Sequence, residues 1–330
     1  MMSERVFVLG AGFSRAISPE MPVMTELSRA VRKYLVKIDR PLPASVTGFG
    51  DDLERWLSFL AERQPWLDES TNLHNRASFA DVSIAIAEVL GERQIAAVRA
   101  PEPPWLSSLV SYWRRMGSIV VTFNYDVLVE AAVLGQIGDG HAWGELYPAP
   151  VVPAASRTGA VLWGGPPATG FRILKLHGSL TWFWSGLDAG PNDPIYDIGL
   201  RGGWSVDGLE SYYAAQLPTL VIDKVAMAVP PTATKSRFYD NSTLRSLWVQ
   251  AGNALRSASE LVLIGYSLPP ADTVVRSLLS TTFVGDVIIP VDTSRMVVDN
   301  LRTLFDPSSV VDSYAGSAAA IEEFVRTTCA

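Results

Sequence analysis

The sequence predicts an α/β fold, a Rossmann-like parallel sheet with helices on both faces and a helical insertion subdomain. Strand-length apolar runs alternate with segments of helical periodicity along most of the chain, which is the order that α/β proteins show. These runs are continuous rather than alternating, as in a parallel sheet that is buried on both faces. The length of 330 residues alone suggests two lobes, but the pattern favours one domain with insertions.

The first third of the chain has one strand pattern followed by helical patterns. The apolar run 5–9 reads as a buried strand that ends in glycine. Apolar residues three or four apart then predict a helix over 25–38, with Thr25 as its N-cap. The segment 46–115 holds further helical patterns without a strand pattern, so we expect a helical insertion there.

Strands and helices alternate again in the rest of the chain. The predicted strands span 118–123, 171–176, 218–222, 260–264 and 286–291, with a short one near 308–314. Helices are predicted over about 126–134, 241–257 and 270–280 and in the tail. The core is therefore assigned to about 1–45, 116–135, 170–184 and 218–330. The segments 136–169 and 185–217, rich in glycine and other loop-forming residues, are predicted as irregular insertions.

Composition excludes several classes of function. Hydrophobic residues make up 48% of the chain and charged residues 18%, so disorder over the whole length is excluded. The 27 basic and 34 acidic residues give a net charge of −7, which disfavours direct binding to nucleic acid. Neither a signal peptide nor an apolar run long enough to span a membrane is visible. We expect a soluble, cytoplasmic protein with no membrane partner.

Metal-binding residues are scarce. The single cysteine, Cys329, excludes a disulfide within the chain and a zinc site built on cysteines. The three histidines are His74, His141 and His177, which makes a site of several histidines a poor expectation. His74 and His141 read as surface or loop residues. We therefore predict no metal.

The first unusual strand end is the turn Gly10-Ala11-Gly12-Phe13-Ser14. Glycines let backbone N–H groups approach a pyrophosphate, and the next helix offers its positive N-terminus. The pattern G-x-G-x-x-G is incomplete because Arg15 stands at its last position, where it could pair with a phosphate or be solvated. The alternative is a tight strand-to-helix turn without a ligand.

Two further strand ends carry polar side chains. Thr122-Phe123-Asn124-Tyr125-Asp126 places a carboxamide and a carboxylate two residues apart, where both could address one small polar group; the alternative is a turn and helix cap. His177-Gly178-Ser179 places a histidine in a glycine-bounded turn. We expect His177 to be sterically open and to titrate near neutrality, the alternative being a structural histidine.

The last strand ends complete the set. Gly265-Tyr266-Ser267 is a second glycine turn, and Asp292 could accept hydrogen bonds from ribose hydroxyls or cap a turn. The aromatic group Trp182-Phe183-Trp184 could cover a ligand, but core packing is the stronger expectation. In a parallel sheet the carboxyl ends of the strands converge on one crevice, so these residues are predicted to meet.

Taken together, these strand ends resemble the sirtuin-like family of NAD-consuming proteins. That family carries GAG-x-S, T-x-N-x-D, a lone H-G after a strand and a late G-x-S-L turn, and the four features occur here in family order. The stretches LKLHGSL, PPT-x-x-K at 230–235 and IGYSLPPAD are similar to the bacterial branch that includes antiviral-defence NAD hydrolases.

The resemblance implies a role for each matching position. NAD, as substrate, would be bound through its phosphates and adenosine side by the two glycine turns, and His177 would be catalytic, with Asn124 and Asp126 on the nicotinamide ribose and carboxamide. The predicted NAD-binding set is Gly10, Ala11, Gly12, Phe13, Ser14, Thr122, Tyr125, Gly178, Gly265, Tyr266, Ser267 and Asp292. Deacetylating sirtuins also carry a four-cysteine zinc ribbon, which is absent here, and their G-I-P-D-F-R stretch has Val23 and Thr25 in place of Asp and Arg.

The expected function is that of an NAD+ glycohydrolase that forms nicotinamide and ADP-ribose, in antiphage defence by NAD+ depletion. The alternatives are a regulatory or sensor module that binds NAD or ADP-ribose without turnover, a zinc-free protein deacylase or ADP-ribosyltransferase, and a structural subunit. We also expect a homo-oligomer, with contacts through 51–115, 135–170 or 185–240, and consider a separately encoded partner such as an ATPase.

Overall fold

The computed structural model describes residues 5–138, 146–153, 170–186, 188–200, 202–209, 224–233, 235–270 and 272–329. Ten strands are described within these ranges. They are β1 (Arg5–Leu9), β2 (Ile119–Thr122), β3 (Val151–Pro153), β4 (Arg172–Lys175), β5 (Gly178–Trp184), β6 (Ile195–Asp197), β7 (Val225–Ala228), β8 (Glu260–Ile264), β9 (Val287–Asp292) and β10 (Tyr314–Ala315). They form two sheets.

The larger sheet confirms the predicted α/β class. Its six strands lie in the order β10-β9-β8-β1-β2-β4, and all their pairings are parallel. In β1 and β8 the four residues after the first are all buried. Because successive residues of a strand point to opposite faces, both faces of the sheet are covered, and flanking helices supply that cover.

The chain order within this sheet creates a crevice. From β1 the chain proceeds outward to β2 and β4, and it later returns to β8 on the other side of β1 before continuing to β9 and β10. The strand order therefore reverses between β1 and β8. In open parallel sheets ligands bind beyond the carboxyl ends of the strands at such a reversal.

Helices occupy most of the segments between the strands. They are α1 (Ala11–Ile17), α2 (Met24–Lys37), α3 (Ala44–Thr47), α4 (Leu53–Ala61), α5 (Glu69–Ala97), α6 (Pro104–Met116), α7 (Leu128–Ile137), α8 (Ser236–Tyr239), α9 (Ser242–Ser257), α10 (Thr273–Thr282), α11 (Met296–Arg302) and α12 (Ala320–Thr328), with a 3₁₀ turn at Pro307–Ser309. Among these described helices, none is long and apolar enough to cross a membrane.

The starts of helices α2 and α10 differ from the sequence prediction. Thr25 is not an N-cap, because α2 begins at Met24 and its cap position is Val23, whose N–H donates to the Glu26 carboxylate (3.3 Å). Helix α10 begins three residues later than predicted, because the Asp272 N–H is taken by the carbonyl of Pro269 in a preceding turn. In both cases a local hydrogen bond sets the helix start.

The helical segment packs in two directions. Helices α2, α4 and α5 contact one another, and α5 also contacts strands β5 and β7. Helix α6 instead contacts α7 and α12 beside the large sheet, with the Trp113 ring packed edge-on against Phe7 at 5.5 Å. The domain limits given above remain a prediction, but these contacts place α6 against the core sheet.

The smaller sheet was not predicted. It has the order β3-β6-β5-β7 and contains antiparallel pairs on both sides of β5. Strands β3 and β6 have three residues each and lie in the segments predicted as irregular, where no periodicity can show. Residues 182–184 of β5 are buried, so this aromatic group packs in the core. The predicted strand at 218–222 lies outside the described residues.

Candidate active site

The two predicted glycine turns lie against each other at the reversal point. The Gly12 N–H donates to the carbonyl of Gly265 (2.8 Å), and the Gly10 N–H donates to the carbonyl of Ile264 (3.2 Å). Gly265 has φ +61°, and a Cβ there would stand 2.1 Å from the backbone nitrogen of Phe13. A Cβ at Gly12 would lie 2.8 Å from the Gly265 oxygen. Close approach of the two turns by itself therefore requires glycine at these positions.

Replacing Gly265 with alanine is expected to destabilise the protein by about 2–6 kcal/mol, because it adds backbone strain and a steric clash, each costing about 1–3 kcal/mol. The free energy of unfolding in urea measures this. Gly91 in α5 is a matched control, because a Cβ there has nothing within 4 Å. Gly91→Ala should be neutral or stabilising by up to about 1 kcal/mol. Equal effects of the two substitutions would contradict this account.

The side chains of Asn124 and Asp126 converge on one small polar group of the protein itself, the Ser14 hydroxyl. Asn124 Nδ2 donates to Ser14 Oγ (2.9 Å) and to the carbonyl of Gly10 (2.8 Å). Ser14 Oγ donates to Asp126 Oδ2 (2.6 Å). Asp126 Oδ1 also accepts from the N–H of Leu128 at the start of α7 (3.3 Å). These bonds join the β2 end to the first glycine turn.

A buried ion pair, which the sequence did not predict, is hydrogen-bonded to the backbone of Asp126. Lys175 Nζ donates to the backbone carbonyl of Asp126 (2.6 Å) and to Glu130 Oε1 (3.0 Å). Glu130 Oε1 also accepts from the hydroxyl of Tyr147 (2.9 Å). Both charged side chains are at most 2% exposed. The available signal was a lysine inside an apolar strand, since lysine is almost never fully buried unless it is paired.

His177 is neither open nor a near-neutral titrating group, contrary to the prediction. It is 7% exposed at the junction of β4 and β5. Burial, together with the nearby Lys235 cation, holds the pKa of His177 well below its ordinary value. The imidazole is therefore neutral at physiological pH. A glycine-bounded turn suggested exposure, but aromatic side chains that are distant in sequence cover the ring.

Four aromatic rings surround the imidazole. Their centroids lie 5.0 Å (Phe123), 6.3 Å (Trp248) and 6.5 Å (Tyr125 and Tyr239) from the His177 ring. The Tyr239 hydroxyl is 3.2 Å from His177 Nε2. The Tyr125 hydroxyl is directed elsewhere and donates to the carbonyl of Val229 (2.5 Å). Tyr239 and Trp248 were not among the predicted site residues, and no strand-end pattern marks them.

The second glycine turn is connected to the same cluster. The Tyr266 ring packs at 5.0 Å from Phe123, and its hydroxyl donates to Asp272 Oδ2 (2.6 Å). Asp272 Oδ1 lies 3.6 Å from Lys235 Nζ. Burial raises the pKa of Tyr266 and of Tyr239, and the nearby Asp272 carboxylate raises both further, so the two phenols stay protonated. Lys235 and Asp272 lie in sequence stretches quoted above, but they were not predicted as site residues.

The other predicted residues have different surroundings. Asp292 ends β9, which β8 separates from β1; it accepts from the Ser294 N–H (2.8 Å), and burial raises its pKa. Ser267 is exposed at its turn, and the next residue, Leu268, has φ +50°. Arg15 does not stand free, because it pairs with Glu26 (2.7 Å) and bonds to nearby carbonyls.

Thr122 and Gly178 both have local backbone roles. Thr122 Oγ1 accepts from the Asn124 N–H (3.1 Å), and Gly178 has φ +80° and pairs with Ala228 of β7. His74 is exposed on α5, whereas His141 lies outside the described residues. Within the described ranges, no group of three or more His, Cys, Asp or Glu side chains is arranged to hold a metal ion.

Comparison with known proteins gives distant structural matches alone. No protein-family model matches the chain, and no curated protein matches it. A Sir2 homologue in complex with NAD has 13% identity and a TM-score of 0.46, over 99% of this chain and 90% of that chain. Sir2Tm bound to a propionylated peptide has 13% identity and a TM-score of 0.44, over 99% and 92%. A further Sir2 enzyme has 15% identity and a TM-score of 0.43, over 98% and 91%.

Proposed function

We propose that the protein is an NAD+ glycohydrolase that cleaves NAD+ to nicotinamide and ADP-ribose. One observation carries the proposal. The two glycine turns lie at the point where the strand order of the parallel sheet reverses, and the Ser14–Asn124–Asp126 group and the neutral His177 follow the ends of β2 and β4 at the same carboxyl edge. Dinucleotides bind at such edges. The sequence features that resemble NAD-consuming proteins are the residues that form this edge.

The chemistry of NAD+ fits a neutral base. Nicotinamide in NAD+ is a pyridinium, so the breaking N-glycosidic bond leaves its electron pair on nicotinamide, which departs neutral without a proton. The carbon left behind has oxocarbenium character, as in glycoside hydrolysis. A water oxygen forms the new bond to this carbon, and neutral His177 accepts the water proton. Burial supports this role because it keeps the imidazole unprotonated.

Asn124 and Asp126 have different parts in this proposal. The Asn124 amide nitrogen is fixed by Gly10 and Ser14, which holds the carboxamide at the β2 end, where it can orient the ribose or water. The Asp126 carboxylate already accepts from Ser14 and Leu128. We therefore assign Asp126 to positioning Ser14 and Asn124, rather than to the contact with the nicotinamide carboxamide that the resemblance implies.

The test incubates the purified full chain with NAD+, with and without an acetyl-lysine peptide, and quantifies nicotinamide and ADP-ribose by chromatography. We expect both products in equal amounts without the peptide. Nicotinamide release that requires the peptide would instead indicate a deacylase or ADP-ribosyltransferase. Saturable NAD+ binding with no product would indicate a sensor module. His74→Ala is the matched control, because His74 is exposed on α5.

The biological role is proposed from the sequence resemblance alone. We propose that NAD+ depletion by this protein acts in antiphage defence, by a cytoplasmic homo-oligomer that works with a separately encoded partner such as an ATPase. Cells that express the wild type should lose NAD+ after phage infection, whereas cells that express His177→Ala should not. Light scattering tests the oligomer, and a monomer at all concentrations would contradict it.

A further inference from the structure

The reactive nitrogen assigned to His177 is in contact with a tyrosine. The Tyr239 hydroxyl lies 3.2 Å from His177 Nε2, and the two rings are nearly parallel, with an interplanar angle of 20°. Tyr239 packs edge-on against Trp248 at 4.9 Å. Trp248 Nε1 in turn donates to the carbonyl of Leu176, the residue before the histidine (3.2 Å). In the protein without NAD+, the packing of both partners therefore places the hydroxyl at one ring nitrogen.

We propose that Tyr239 is a positioning residue that donates its hydroxyl hydrogen to Nε2 of His177 and so fixes the neutral tautomer with its proton on Nδ1. This proposal rests on the proposed function, in which Nε2 is the basic atom. A neutral imidazole has one donor and one acceptor nitrogen, and a hydrogen bond to one of them decides which is which. The basic nitrogen is then ready before NAD+ arrives, and the attacking water takes the place of the hydroxyl.

The groups that face His177 are consistent with a donating phenol. Tyr125 faces it from the β2–α7 turn, Trp248 from α9, and Lys235 and Tyr239 from the α8 region. Lys235 is the charged group in this set, and its ammonium opposes a second positive charge on the imidazole. Asp272 lies behind Lys235 and Tyr266, and the α4 residue Glu54 interacts with Lys235 and Asp272 from further away.

The neutral charge of the imidazole and its tautomer have different causes. Burial and Lys235 keep the imidazole neutral, but neither selects a tautomer. The pKa of Tyr239 is raised by burial, so its hydroxyl keeps the hydrogen that the bond to Nε2 needs. Because a donated hydrogen bond stabilises the neutral imidazole, removing the hydroxyl favours protonation. The pKa of His177 must then rise, by the contribution of one net hydrogen bond, about half to one pH unit.

The direct test is nuclear magnetic resonance of the histidine side chains in the full-length protein without ligand. The chain has three histidines, so His177→Ala identifies the His177 signals by their loss. We expect the wild-type signals to show the tautomer protonated on Nδ1, and Tyr239→Phe to raise the pKa of His177. Protonation on Nε2 in the wild type would overturn the proposal, and this outcome does not depend on whether Tyr239→Phe folds. An unchanged or lowered pKa in Tyr239→Phe would also overturn it.

Kinetics supply the second arm. Activity needs neutral His177, so the acidic limb of kcat/KM against pH should move up in Tyr239→Phe by about the same half to one pH unit. The plateau should fall roughly three- to tenfold, the factor that corresponds to the loss of one net hydrogen bond. Tyr112→Phe is the control, because that hydroxyl accepts from Arg5 at the start of β1, the opposite end of the sheet (3.0 Å). A purely structural role would lower activity equally at all pH values, which contradicts the proposal.

The two arms separate failure of this proposal from failure of the proposed function. A wild type that never cleaves NAD+ removes the glycohydrolase assignment, while the tautomer and pKa results still decide the Tyr239 contact. A wild type that cleaves NAD+, with no change of the His177 pKa in Tyr239→Phe, removes only the role of Tyr239.

Discussion

His177→Ala is expected to lower kcat for NAD+ cleavage by about 10²–10⁴-fold, the contribution of a positioned general base, while NAD+ still binds. The imidazole is the neutral base in the proposed reaction, whereas the Ser14–Asn124–Asp126 group and the glycine turns do not depend on it for their hydrogen bonds. Steady-state kinetics measure the loss of rate, and calorimetry measures NAD+ binding.

Two controls make this result interpretable. His74→Ala removes an exposed histidine from α5 and should leave kcat unchanged. The thermal unfolding midpoint of His177→Ala shows whether loss of the ring has disrupted the aromatic cluster around it. NAD+ cleavage by His177→Ala at the wild-type rate would contradict the assignment of His177 as the base.

Lys175→Met is expected to destabilise the protein by about 3–5 kcal/mol, because breaking a buried ion pair leaves an uncompensated buried charge. Glu130 would retain only the Tyr147 hydroxyl among its hydrogen bonds described above, and the Asp126 carbonyl would lose the bond from Nζ. The loss should appear as a lower midpoint of urea unfolding. NAD+ affinity should fall as well, because Asp126 belongs to the turn that holds Ser14.

A double-mutant cycle tests the coupling of this pair. Lys175→Met combined with Glu130→Gln should recover part of the lost stability, because the second change removes the unpaired charge. Arg63→Ala is the control: Arg63 forms an exposed ion pair with Glu69, and its loss should cost less than about 1 kcal/mol. Strictly additive single effects would show that the buried pair is not energetically coupled.

The sequence predicted the features that depend on local patterns. The strand bounds of β1 and β8 match the apolar runs. The helix predicted from Asn241 is α9, and the Asn241 side chain accepts hydrogen bonds from N–H groups in its first turn. The meeting of the strand ends followed from one general property of parallel sheets, that their carboxyl ends share an edge. That property was sufficient to bring Ser14, Asn124 and Asp126 together.

Features that depend on distant contacts could not be predicted in this way. His177 is covered by Tyr239, which lies 62 residues further along the chain, and Lys175 is neutralised by a glutamate 45 residues before it. Neither partner follows a strand-end pattern. The small sheet was missed because β3 and β6 are too short to show a period and find their partners only in the folded chain.

The most direct test of the account is the structure of His177→Ala saturated with NAD+, since this variant should bind the dinucleotide without cleaving it. We predict the nicotinamide ribose beside position 177 and Asn124, and the pyrophosphate at the two glycine turns between β1 and β8. NAD+ bound elsewhere on the protein, or an empty site at saturating NAD+, would contradict the account.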